Sequence, residues 1–128
     1  MDTLDTPESG TGMARRFREA ALRFSRPRRV HIDMLLRVGA ASLLVHIRDG
    51  KVTSAEAPVA PLPSSDFAVS ASAQAWSRFW QPVPEAGWHD IFALSKRGEL
   101  SIQGNLQPLM AHLQFIKDLL AAGREARA

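Results

Sequence analysis

The stretch VHIDMLLRVGAASLLVHIR, residues 30–48, constrains the fold more than any other part of the chain. Its apolar side chains alternate, which is the signature of strands with one buried face. Val30, Ile32, Met34, Leu36 and Val38 point one way, and His31, Asp33, Leu35 and Arg37 the other. The second half repeats the pattern with Leu43, Val45 and Ile47. Gly39-Ala40 between them suits a two-residue type II′ turn, which needs positive φ at its first position. That turn opposes Ile32 to Ile47, Met34 to Val45 and Leu36 to Leu43, so turn chemistry and apolar pattern specify one register.

A second hairpin signal follows at Asp49-Gly50. A strict two-residue loop there would set Glu56 on the apolar face opposite Leu43. A loop closing in a glycine bulge would instead turn Thr53, Ala55 and Ala57 inward, and this register is expected because it leaves no unpaired carboxylate buried. Three prolines in PVAPLPSS, residues 58–65, predict a crossing loop. DFAVS then reads as a short strand with Phe67 and Val69 inward.

Helical spacing governs most of the remainder. Met13, Phe17, Ala20, Ala21 and Phe24 predict a helix over 13–25, stopped by Pro27. AQAWSRFWQ predicts another, ended by Pro82 and Pro84. Asp90 is the expected N-cap of IFALSKR, with Gly98 at its end. ELSIQ alternates, with Leu100 and Ile102 inward. Asn105 is expected to cap a last helix, with Pro108 in its first turn and Gly123 beyond its end. Strands with one apolar face, interspersed with helices, predict an α+β domain whose sheet is covered on one side. The expected organisation is a disordered tail over 1–12 and one domain over 13–128.

Composition narrows the function classes. At 128 residues the chain can bury a substantial core without cross-links, and it has no cysteine. No apolar run is long enough to span a membrane, and the acid-containing N-terminus lacks a signal-peptide pattern. The net charge of +3 is unevenly distributed. Arg15, Arg16, Arg18, Arg23, Arg26, Arg28 and Arg29 face only Glu19, whereas residues 30–128 are balanced. The segment reads either as a solvated helix or as a surface for anionic membrane, where Arg15, Arg16, Arg18 and Arg23 would make contact. A neutral remainder does not support nucleic-acid binding.

The helices carry an apolar surplus. Leu106, Leu109, Met110, Leu113, Ile116 and Leu120 form a stripe, flanked by Leu119 and His112, that is wider than one helix-on-sheet contact requires. Trp76, Phe79, Trp80, Trp88 and Phe92 crowd into 17 residues. These side chains either form the core or line a cavity. A ligand burying roughly 300 Å² of apolar surface there would gain about 7 kcal/mol before ordering costs.

The succession DFAVSASAQAWSRFW, DIFAL, GELSIQGN and LQPLMAHLQFIKDLL resembles the sterol carrier protein-2 domain family. Gly98, Leu100, Ile102, Gly104 and Asn105 occupy its Gly-x-Leu-x-Ile-x-Gly-Asn/Asp positions. The resemblance implies a five-stranded, mixed and mainly antiparallel sheet, with helices enclosing an apolar tunnel. It also implies binding or transfer of a lipid; with no phosphate loop, nucleophile elbow or zinc spacing in the sequence, the role expected is non-catalytic, with no cofactor and no metal. Trp76, Phe79, Trp80, Trp88, Phe92, Leu109, His112, Leu113, Ile116 and Leu120 are the expected ligand-binding residues. The setting expected is cytoplasmic and peripheral to a membrane. The competing expectation is a protein-interaction or accessory module with a closed cavity. A third reading uses Asp33 opposite His46 as an acid/base pair, against the plainer one of a cross-strand ion pair on a solvated face.

Overall fold

The computed structural model describes residues 10–58 and 64–127, with side chains described through Arg124. Helix α1 (Gly10–Leu22) precedes strands β1 (Ile32–Val38), β2 (Ala41–Arg48), β3 (Lys51–Glu56) and β4 (Phe67–Ala71). Helices α2 (Ala73–Phe79) and α3 (Ile91–Lys96) follow, then β5 (Leu100–Gly104), α4 (Gln107–Ala111), α5 (Leu113–Ala121) and a 3-10 turn (Ala122–Arg127). The strands form one sheet in the order β3-β2-β1-β4-β5. Only β1 and β4 pair in parallel, so the sheet is mixed and mainly antiparallel and the fold is α+β.

The first hairpin has the register its sequence specifies, from Ile32 opposite Ile47 to Val38 opposite Ala41. Gly39 takes φ 63°, while Ala40 keeps a negative φ, as a type II′ turn demands. The second hairpin departs from expectation. Asp49 and Gly50 both have positive φ, 53° and 74°, closing a tight turn with Lys51 opposite Arg48. The bulge lies further on, at Thr53, where the pairing shifts between His46 and Ile47. Val52 and Ala55 are therefore inward, and Thr53 and Ala57 are exposed. The bulge still spares the carboxylate, because Glu56 moves opposite Leu44 on the outer face and pairs with Arg18.

The helices begin and end for identifiable reasons. Ser72 Oγ accepts from Ala75 N at 3.0 Å to start α2, and Asp90 accepts from Phe92 N at 3.2 Å to start α3. Gly98, at φ 80°, releases the chain toward β5. Asn105 Oδ1 accepts from Gln107 N at 3.2 Å ahead of α4. The single last helix expected from the sequence is two, because His112 leaves helical geometry at φ −126°, ψ 41°. At the other end α1 starts at Gly10, so three residues assigned to the tail are helical; residues 1–9 lie outside the described residues, as does most of the expected crossing loop.

The helices cover one side of the sheet. Their buried residues join Ile32, Met34, Leu36, Val45, Ile47, Phe67, Val69 and Leu100 in one core. On the other side, Leu35 alone of β1 is buried, between Leu44 of β2 and Ala68 of β4.

Candidate functional site

Helix α2 carries Trp76 and Trp80 one turn apart, so their rings stack, 4.7 Å between centroids. Phe79 meets Trp76 edge-on at 5.5 Å. From α1, Phe17 stacks on the far side of Trp80 at 5.3 Å. Both indole N–H groups donate to backbone, Trp76 to Arg37 O and Trp80 to Leu120 O, each at 2.8 Å. A buried indole needs such a partner, and these bonds tie α2 to the sheet and to α5.

Trp76, Leu109, Ile116 and Leu120 have 0% exposure. Zero exposure means that no space large enough for a water molecule adjoins these side chains, whether open or enclosed. Of the expected ligand-binding residues, Trp76, Phe79, Trp80, Trp88, Leu109, Ile116 and Leu120 lie within the core, and Phe92 and Leu113 pack against it. Trp88 is buried too, with the guanidinium groups of Arg78 and Arg97 at 4.2 and 5.2 Å from its ring. Phe92, His112 and Leu113 are half-buried.

The width of the α5 stripe has a structural cause that the sequence pattern did not reveal. The helix buries Phe115, Ile116, Leu119 and Leu120, covering both the stripe and its flank. Phe115 meets Phe24 edge-on at 5.2 Å, so the segment after α1 covers a face that the sheet does not. Phe17 and Phe115 were absent from the expected site. Phe17 was visible as an inward residue of its own helix, but nothing local indicates that α1 packs on α2.

The helical layer is weakest at α4. Only Leu109 of this five-residue helix is buried; Leu106 is 41% and Met110 57% exposed. Leu106 itself offers no cap, the Gln107 N–H being answered by Asn105 Oδ1, and the break at His112 separates α4 from α5. Ile102 and Leu113, packed at the margin of the core, are half-buried.

The arginines divide. Arg18 is turned onto β3, its Nε donating to Ala55 O at 2.7 Å and its Nη2 to Glu56. Arg16 is half-buried, whereas Arg15 and Arg23 are exposed. Arg26, Arg28 and Arg29 are exposed in the loop after α1, which is fastened to the β2–β3 turn: Arg26 N donates to Gly50 O at 2.9 Å, and Ser25 bridges to Lys51. Beside this loop lies a groove of about 380 Å³ lined by Ala20, Arg23, Phe24, Arg26, Asp118, Ala121 and Ala122.

On the outer sheet face His46 Nδ1 lies 2.7 Å from Asp33 Oδ1, and Arg48 reaches the same oxygen at 3.0 Å. Partial burial raises the Asp33 pKa, but hydrogen bonds and charge from His46 and Arg48 outweigh it and hold the carboxyl below its usual range. His31 pairs with Asp49 instead, at 3.2 Å. Among the described residues no cluster of three or more His, Asp or Glu stands ready to hold a metal ion, and no helix is long and apolar enough to cross a membrane.

A five-stranded mixed sheet in this order, closed on one side by helices, defines the sterol carrier protein-2 fold. The chain shares it with the crystal structure of sterol carrier protein 2 at a TM-score of 0.59 and 17% identity, over 91% of this chain and 93% of that one. It is similar to the UbiJ-SCP2 ubiquinone synthesis protein at 0.52 and 18%, covering 95% and 93%. It is also similar to a conserved hypothetical protein of Thermus thermophilus, described as possibly a sterol carrier protein, at 0.50 and 16%, covering 91% and 85%. No protein-family model matches the sequence, and no curated protein does.

Proposed function

We propose that the chain binds a lipid or similar apolar ligand without transforming it, and that the ligand enters by displacing α4 rather than by filling a standing cavity. The observation that carries this reading is the contrast within the helical layer. The layer is sealed at Trp76, Ile116 and Leu120, yet α4 holds on through Leu109 and already exposes Leu106 and Met110. Lifting α4 exposes one buried leucine, at least about 1.5–3 kcal/mol, together with the core surface that Leu109 covers, so the open form is a minor population. His112 lies at the hinge. Leu109, Leu113, Ile116 and Leu120 form one wall of the opened site. Phe92 stands at its mouth, and Trp76, Phe79, Trp80 and Trp88 form its floor. The shared fold with sterol carrier protein 2 supports the ligand class.

The exposed Arg23, Arg26, Arg28 and Arg29 suit contact with an anionic membrane surface from which such a ligand is collected. Arg15, exposed on α1, belongs with them, whereas Arg18 is turned onto β3 and Arg16 is half-buried; the surface fits a protein working at the membrane periphery of the cytoplasm. A second reading has its own support. The sealed interior suits an accessory module that recruits a protein partner through α4, and one solved protein of this fold is a ubiquinone synthesis protein.

Organic extraction and native mass spectrometry of the purified protein separate the two. Co-purified lipid, lost in the Leu106→Asp/Met110→Asp double variant, is the expected result. Lipid-free protein that also fails to take up added lipid favours the accessory reading. Flotation with anionic and with neutral vesicles tests the arginine surface.

A further inference from the structure

The outer face of the sheet, which the lipid reading does not use, holds a second constellation. Asp33, His46 and Ser54 stand side by side on β1, β2 and β3, with Asp33 opposite His46 and His46 opposite Ser54. His46 and Ser54 line a depression of about 280 Å³ together with Leu44, Glu56, Ala57 and Pro58.

The charges here are already answered. Arg48 and His46 face the Asp33 carboxylate, and Arg18 holds Glu56. Asp33 is further fixed from its backbone, where its N–H donates to Asp66 Oδ2 at 2.8 Å and its carbonyl accepts from Asp66 N at 2.7 Å. An ionised Asp33 can only accept, so the 2.7 Å contact assigns the imidazole proton to Nδ1. With Nδ1 committed to Asp33, Nε2 is the ring nitrogen left for a ligand, and in a neutral imidazole it accepts. The walls contributed by Leu44, Ala57 and Pro58 are apolar.

We infer that this depression is a small-molecule site for a neutral, single-ring alcohol or phenol, whose hydroxyl donates to His46 Nε2 while its ring lies against Leu44 and Pro58. The volume lies just below the usual range for ligand pockets, which limits the occupant to about one ring. Ser54, half-exposed beside His46, supplies a hydroxyl able to accept or donate.

The test titrates 4-methylphenol and 4-methylanisole into the ¹⁵N-labelled full chain and follows amide shifts. The two probes differ by replacement of the donated hydrogen with a methyl group. Saturable shifts at Leu44, Ser54 and Ala57 are expected with 4-methylphenol, and binding about tenfold weaker with 4-methylanisole, the worth of one hydrogen bond. His46→Leu should bring the phenol down to the anisole's affinity, and Ser54→Ala should leave the preference for the phenol standing. Dispersed spectra establish that each variant is folded. Equal affinity for both probes, shifts confined to other residues, no saturable shift at all, or a preference that survives His46→Leu would each overturn the inference.

Discussion

Trp80→Ala distinguishes a sealed core from a ligand cavity, because the same residue would respond differently in each. Trp80 is 1% exposed, stacked between Trp76 and Phe17, and bonded through its indole to Leu120 O. Truncating a packed tryptophan costs about 3–5 kcal/mol. The loss of its N–H leaves the Leu120 carbonyl short of a donor, which adds about 1 kcal/mol or more where water does not replace it. The expected total, about 4–6 kcal/mol, approaches the whole stability of a small domain, about 5–15 kcal/mol. Urea unfolding followed by far-ultraviolet circular dichroism should therefore give a much lower midpoint, or a chain unfolded at the outset. Trp80→Phe keeps a ring in the stack but removes the donor and part of the indole's volume, so it should cost less than the alanine. A tryptophan lining a hollow would already have lost contacts on one side, and its truncation would be tolerated. A loss below about 1 kcal/mol for Trp80→Ala would refute the sealed interior.

Gly123→Ala should destabilise by about 1–3 kcal/mol through overpacking, because its Cβ would meet Trp80 Nε1 at 2.5 Å; the midpoint in urea reads this out. Gly50→Ala should also destabilise the fold, since φ is 74° and the new Cβ would fall 2.1 Å from Arg26 O, and in vesicle flotation it should weaken anionic binding by loosening the arginine loop. The depressed pKa of Asp33 makes its contribution fully present above its unfolded value, near 3.8, and lost as pH falls through the lower folded value. Asp33→Asn should therefore be less stable than the parent at pH 6, with the difference shrinking below about pH 4 in urea titrations. Met110→Asp, at an exposed position, should leave stability within about 0.5 kcal/mol while reducing recovered lipid in organic extracts.

Local chemistry explains which parts of this fold were legible. The first hairpin was, because Gly39 and the alternation from Ile32 to Ile47 demand the same register independently. The caps at Asp90 and Asn105 and the release at Gly98 were equally readable, since each depends on one residue's own donors, acceptors or φ. The position of the β3 bulge was not. Avoiding a buried Glu56 requires one extra residue somewhere in the strand, but sequence alone does not say whether it sits in the turn or at Thr53. The α5 stripe showed a similar limit. Its width gave the amount of apolar surface to be covered, but not that Phe24 and α1 would cover part of it. The pairing of Asp33 with His46 followed from the hairpin register, whereas Asp66 and Ser54 joined them through the β3 register and the return to β4, which strand pattern alone left open. The break at His112 carried no glycine or proline to announce it.

The central claim is that α4 opens while the rest of the helical layer stays shut, and amide hydrogen exchange resolved by residue addresses it most directly. With Leu109 as its one buried anchor, α4 should exchange through local openings well before α2 and α5, and added lipid should slow exchange in α4 and at His112. Protection of α4 equal to that of α2, or exchange in α4 that bound lipid leaves unchanged, would contradict it.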